Sequence, residues 1–267
     1  MDIFQDKVIV VTGASEGIGR ALCLALAPQK PKLVLAARNK NRLEQLKEEV
    51  ESEGAKSIVI PTDVGEEKAC KNLIERTISE FDRLDVLVNN AGRTMWTTLE
   101  EMKDISIIEQ LMRINYFSAA HCTYYALPHI IKSKGRIVGI SSLAGLSGVP
   151  TRTAYSASKH AMFGFFDSLR IELMETGVSV TMIAPDFVLS EIHRRAFGKD
   201  GKPLGSSPVK EDKIMTANEC ASRIIRAMEN RDRLAILSFR GKLGRWVKMI
   251  APRLIDQEAS KAIRDAK

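Results

Sequence analysis

The chain has 267 residues, 45% of them hydrophobic and 27% charged, and carries a formal net charge of +7 from 40 Lys/Arg against 33 Asp/Glu. That composition excludes a disordered or fibrous chain, and the length is enough to bury a core without covalent staples. Basicity of this size suits a phosphorylated ligand, an anionic surface or simply a solvated exterior. No run approaches the ~18 apolar residues of a membrane span. The opening stretch MDIFQDKVIVVTGAS has an apolar run too short for a secretory leader, so the expected compartment is cytoplasmic. Cys23, Cys70, Cys122 and Cys220 stand far apart in helix-like stretches, at no metal-ligand spacing, and are expected to be reduced and packed as small hydrophobes.

Taken in chain order, short apolar runs alternate with amphipathic stretches. Lys7–Val11 is a run rich in β-branched residues, and Ile18–Ala27 follows as a helix with Pro28 at its end. Lys32–Ala37 is the second run, and Asn41–Glu53 a charged helix closed by Gly54. Ser57–Pro61 precedes a helix over Glu66–Phe81, and Asp85–Asn89 precedes a long helical region reaching about Ser133. Gly135–Ile140 is the fifth run, Ala154–Thr176 a helix closed by Gly177, and Val178–Ala184 the sixth run. Pro185–Met215 reads as an irregular functional insert with one short helix over Glu191–Phe197. Thr216–Asn230 is a helix with Thr216 and Glu219 set for a capping box, and Leu234–Ser238 reads as a last strand. Apolar strands between amphipathic helices indicate a parallel sheet buried on both faces: an α/β, doubly wound fold in one domain.

Straight after the first run comes Thr12-Gly13-Ala14-Ser15-Glu16-Gly17-Ile18-Gly19. A strand that turns tightly into a helix presents free N–H groups to a pyrophosphate. Gly13 and Gly17 permit the turn and the ligand's close approach, and Gly19 lets the helix pack on the sheet. This turn resembles that of the short-chain dehydrogenases/reductases. The likeness continues in Asn89-Asn90-Ala91-Gly92, in Ser141-Ser142 and in Tyr155-Ser-Ala-Ser-Lys159, and spans about residues 5 to 235. TGASEGIG, LVLAARN and YSASKHA look most like the hydroxysteroid-dehydrogenase-like members. The resemblance implies a Rossmann-type domain over residues 1–240, with a substrate loop at about 186–216 and a basic, apolar tail over 241–267.

For the cofactor the resemblance implies NADP(H). Ala37 stands where an NAD site usually has a carboxylate, and Arg38 offers a guanidinium to a 2′-phosphate. Glu16 departs from the pattern, since NADP-dependent relatives often carry a basic residue there, while Ser15 can still donate to the phosphate. By resemblance Asp63 accepts from the adenine amino group and Val64 contributes backbone. Asn89 lies along the adenosine ribose, and Ala91 and Gly92 let the backbone pass close. Ile18, Pro185, Val188 and Ser190 complete the cofactor wall. Asp186 replaces the glycine that usually follows Pro185.

Tyr155 and Lys159 are four apart in a helical stretch and share a face. A tyrosine titrates near ~10, and a nearby ammonium favours its phenolate. Tyr155 is thus the expected acid/base, Ser142 the group that holds the substrate oxygen, and Lys159 a ligand of the nicotinamide ribose. Asn115 anchors a water by resemblance. No metal is required. Met95, Trp96, Leu143, Leu146, Val149, Phe187, Leu189 and Ile192 are the apolar candidates for a substrate wall, which suits a lipid, steroid or aromatic carbonyl compound.

The tail from Arg240 to Lys267 holds eight Lys/Arg against three Asp/Glu among apolar residues. It suits peripheral contact with an anionic membrane and equally a subunit interface. A homodimer or homotetramer is expected from the resemblance, and no nucleic-acid motif is visible. The leading expectation is an oxidoreductase interconverting a ketone and a secondary alcohol. Its rivals are a catalytically silent NADP-binding sensor and a membrane-surface interaction protein.

Overall fold

The computed structural model describes residues 3–209 and 214–264. Its strands are β1 (Val8–Thr12), β2 (Lys32–Ala37), β3 (Lys56–Pro61), β4 (Val86–Asn89), β5 (Arg136–Ile140), β6 (Ser179–Ala184) and β7 (Leu234–Ile236). All pair in parallel, in the order β3-β2-β1-β4-β5-β6-β7. Each apolar run of the sequence is a strand, displaced by no more than two residues at either end.

Alternation along β1 explains the two-faced core. Ile9 and Val11 enter one apolar cluster with Leu22, Leu43 and Ile224, while Val8 and Val10 enter another with Leu73, Ile130 and Phe166. The first face is covered by α1 (Gly17–Leu26), α2 (Lys40–Ser52) and α7 (Ala217–Asn230), and the second by α3 (Glu67–Phe81), α5 (Ser118–Lys132) and α6 (Thr153–Glu172). The chain winds outward from β1 to β3 and then returns to β4. A crevice therefore opens at the carboxyl ends of β1 and β4, where ligands of such sheets bind.

Three sequence expectations need correction. The long helical region after Asn89 begins only at α4 (Ser106–Met112), and the stretch before it is irregular. There Trp96 donates its N–H to Phe197 O and Phe197 donates to Thr94 O, so pairing with a distant segment outweighs local helix propensity. The same pairing removes the helix expected over Glu191–Phe197, which is a series of turns. The capping box of α7 is half formed: Thr216 accepts from the Glu219 N–H, but the Glu219 carboxylate pairs with Arg223 at 2.6 Å.

The tail is helical, as α8 (Phe239–Ile250) and α9 (Pro252–Arg264). Residues 210–213 of the expected substrate loop and 265–267 of the tail lie outside the described residues. Among the described residues no helix is long and apolar enough to cross a membrane.

Candidate active site

Gly13 and Gly17 have φ of 67° and 54°, a left-handed conformation that costs glycine nothing. Gly19 packs rather than binds: a Cβ there would lie 2.4 Å from Gly13 O and 2.5 Å from Asn90 Nδ2. Ser15, Gly17 and Ile18 line one end of a cavity of about 1300 Å³, at the N-terminus of α1. The turn is tied to β4 by Thr12, whose Oγ1 accepts from the Asn90 and Ala91 N–H groups at 3.0 and 3.1 Å. Asn90 Nδ2 donates in return to Thr12 O at 2.8 Å. Both residues belong to the motifs of the sequence, but their pairing is a contact across 78 residues that the sequence does not display.

At the same end, Ala37, Arg38, Asp63 and Val64 line the cavity. Arg38 is exposed, and Asp63 Oδ1 accepts from the Gly65 N–H at 3.0 Å. Asp63 does not cap α3; Glu66 holds that position. Asn89 is a correction. It is buried, donates to Thr123 Oγ1 at 3.0 Å and ties β4 to α5, whereas Asn90, Ala91 and Gly92 face the cavity. The departure at Glu16 is compensated: Arg42 at 2.6 Å and Arg195 at 2.5 Å both hold its carboxylate.

Ser142, Tyr155 and Lys159 line the cavity's interior from the end of β5 and the first turns of α6. Lys159 Nζ donates to Ile140 O at 2.9 Å and lies 5.9 Å from the centre of the Tyr155 ring. Burial drives the Lys159 pKa down to about 7. Burial also pushes Tyr155 up, opposed by a hydrogen bond with Ser142 and by the charge of Arg152. The expected lowering of Tyr155 by Lys159 is therefore not what the free protein shows. Burial outweighs the neighbouring charges, and the cation that acts on the phenol is Arg152.

Asn115 is fully buried in a π-helical turn, Arg113–Phe117. Its Oδ1 accepts from the Arg93 N–H at 2.8 Å, and its Nδ2 donates to Arg93 O and Ser158 Oγ at 2.9 and 2.8 Å. It sits behind Gly92, where a Cβ would meet Asn115 Oδ1 at 3.2 Å and Lys159 Nζ at 3.5 Å. Such turns often mark functional sites.

A family model for short chain dehydrogenases matches residues 7–200. The chain belongs to that family. It is 35% identical over 259 residues to the dehydrogenase/reductase SDR family protein 7-like of Dictyostelium discoideum, spanning 95% of this chain and 80% of that one. It is 34% identical over 251 residues to the 11-beta-hydroxysteroid dehydrogenase-like 2 of Arabidopsis thaliana, spanning 94% and 79%. It thus falls in the hydroxysteroid-dehydrogenase-like branch and is an oxidoreductase. The fold matches that of a short chain dehydrogenase/reductase from Burkholderia phymatum solved with NAD, with a TM-score of 0.82, 23% identity and coverage of 94% and 95%.

In this short-chain dehydrogenase Leu143, Leu146, Val149, Phe187 and Ile192 line the same cavity. Met95 is buried in a neighbouring cluster instead, and Trp96 and Leu189 are not part of the wall. Pro185, Val188 and Ser190 line the cavity, with Ser190 facing the glycine turn at Gly17. Asp186 does not adopt a left-handed turn. Its carboxylate accepts from Arg240 at 2.7 Å and from Ser238 Oγ at 3.1 Å, which anchors the start of α8. α8 then crosses the site: Gly241 packs on Leu143, and Lys248 Nζ donates to Leu146 O at 2.7 Å. The tail is part of the cavity wall, a role that its composition did not announce.

Proposed function

We propose that this dehydrogenase interconverts a ketone and a secondary alcohol with NADP(H), acting on a substrate with an apolar body. The observation that carries the reading is the convergence of Ser142, Tyr155 and Lys159 in one cavity whose far end is the glycine turn and Arg38. The residues present fit a dinucleotide. Left-handed Gly13 and Gly17 leave room for phosphate, and Gly92 keeps open a space that a Cβ would fill. Gly13, Ser15, Gly17 and Ile18 would hold the pyrophosphate; Asp63, Val64, Ala91 and Gly92 the adenosine half; and Pro185, Val188, Ser190 and Lys159 the nicotinamide half.

The preference for NADP(H) rests on Ala37, which leaves the ribose edge free of a carboxylate, and on Arg38. Arg42 and Arg195 neutralise Glu16, so the surroundings of a 2′-phosphate remain positive. A bound nicotinamide would exchange the hydride with the substrate carbon. The chain's own residues do the rest. Ser142 Oγ donates to the carbonyl oxygen and fixes its position. The Tyr155 hydroxyl gives its proton to that oxygen during reduction and takes it back during oxidation. Lys159, with a pKa of about 7, exchanges a proton at neutral pH and can restore the one Tyr155 gives up. Asn115 sets the geometry behind Gly92. Four free, buried cysteines accord with a cytoplasmic setting.

The test is a screen of apolar ketones and alcohols with NADPH and NADP+, repeated on Tyr155→Phe. That variant keeps the ring and its packing, so folding and NADPH binding should survive while turnover falls by about 10²–10⁴. Full activity in a folded Tyr155→Phe protein would end the mechanism. NADPH binding without turnover on any carbonyl compound would favour the sensor.

A further inference from the structure

Arg152 immediately precedes α6 and lines the substrate end of the cavity. It is 6% exposed. Its guanidinium carbon lies 4.2 Å from the centre of the Trp96 ring, 5.0 Å from that of Phe187 and 5.9 Å from that of Tyr155. Aromatic faces attract the cation but accept none of its N–H edges. Among the described residues no acceptor takes a hydrogen bond from this side chain, and its Nη2 is buried without a partner.

The carboxylates of the same cavity are engaged elsewhere. Asp186 is held by Arg240, and its charge reaches Arg152 without a hydrogen bond; Glu191 is held by Arg194 and Glu258 by Lys261. A buried guanidinium without an oxygen partner is costly to fold. The approach to it is costly too. Thr151, a β-branched residue, has φ of 65°, and its carbonyl is held there by the Thr97 N–H at 3.0 Å. A buried charge without a hydrogen-bond partner on a cavity wall, next in sequence to a strained residue, is a feature of a binding site rather than of a stabilising core.

We infer that Arg152 receives a carboxylate of the substrate, so that the substrate is an apolar keto acid or the matching hydroxy acid. Stacking on Trp96 holds the guanidinium in one orientation, and its paired N–H groups match the two oxygens of a carboxylate. Arg152 is three residues from Tyr155, which places the acid group near the reacting carbon. The inference rests on the ketone/alcohol reading and narrows its substrate class.

The experiment uses aryl keto acids of graded spacing between ketone and carboxylate, each beside its methyl ester, with phosphate and sulfate esters of keto alcohols as separate arms. In the wild-type protein kcat/KM should favour the best acid over its ester by about tenfold to a hundredfold, mainly through KM. Arg152→Gln should bring that ratio close to one, and Arg152→Lys, which keeps the charge and loses the fork, should fall between. Thermal melts confirm that the variants are folded.

A second readout needs no turnover. Trp96 and Trp246 are the only tryptophans of the chain. In a Trp246→Phe protein the keto acid should therefore perturb Trp96 fluorescence saturably, and Arg152→Gln should abolish the response. Ketone turnover with an acid-to-ester ratio near one and no Trp96 response would overturn the inference and leave the reaction standing. Acid binding through Arg152 without turnover of any carbonyl compound would do the reverse. A preference for the phosphate or sulfate ester over every keto acid would overturn the carboxylate assignment.

Discussion

Lys159 is a residue whose chemistry the sequence names and whose charge only burial decides. Its pKa is lowered from 10.5 to about 7 by desolvation. Between those values the unfolded chain binds a proton that the folded one lacks. This group's contribution to stability therefore rises with pH across that window, by at most about 1.4 kcal/mol per unit, and its penalty is constant below it. Lys159→Met has no such window. Its stability advantage over the wild type should shrink between about pH 7.5 and about pH 9.5, which urea unfolding of the two proteins measures. Parallel curves would mean that Lys159 is hydrated. At the other end of the cavity, Arg38→Ala should weaken NADPH binding about tenfold to a hundredfold and leave NADH nearly unchanged. Calorimetry with both cofactors checks this, and an equal loss for both would remove the 2′-phosphate role. That Ser142, Tyr155 and Lys159 meet in one cavity was legible because the chemistry proposed for them restricts them to few residue types at narrow spacing. Arg152 and the Asn89/Asn90 distinction were not. Both depend on where a side chain points once β4 and α6 are packed, and an isolated arginine in a loop reads as surface.

At the scale of elements, α8 shows how one side chain anchors a segment distant in sequence. The Asp186 carboxylate, just beyond β6, clamps Arg240 and Ser238. Asp186→Ala should cost about 1 kcal/mol, discounted for an Arg240 side chain that is 74% exposed. It should also raise amide exchange in α8 while leaving α1 and α6 protected. Unchanged exchange in α8 would assign its docking to Gly241 on Leu143 and to Lys248 on Leu146 instead. Strand positions were legible to within two residues because β-branched runs buried on both faces have no polar alternation to blur them. The helices assigned after Asn89 and at Glu191–Phe197 failed for one reason. These two stretches satisfy each other's backbone groups through Trp96, Phe197 and Thr94, a long-range pairing that local propensity cannot register.

For the whole molecule, self-association is the expectation to test on the apolar side chains that the outer helices expose. Tyr124 is 72% exposed on α5 and Ile171 is 67% exposed at the end of α6, with Phe117 half-exposed between α4 and α5. Such a set of large apolar side chains on the outer helices suits an interface between copies. Light scattering at micromolar concentration should give a dimer or tetramer, and Tyr124→Glu should shift it toward monomer. A wild-type monomer would leave these faces without that role and would turn attention to the apolar, basic face of α8.

The sequence by itself determined the sheet, the glycine turn and the placing of Tyr155 and Lys159 on one helix. Each is written in local periodicity or in residue types for which no substitute has the right φ range or proton chemistry. Tertiary structure decided what those residues experience. It raised Tyr155 and lowered Lys159 by burial, turned Asn89 away from the cavity and drew the tail across the site. It also enclosed Arg152 among aromatic rings without an oxygen partner. These outcomes depend on desolvation and on contacts between segments far apart in the chain, and neither is encoded in a residue's own neighbourhood.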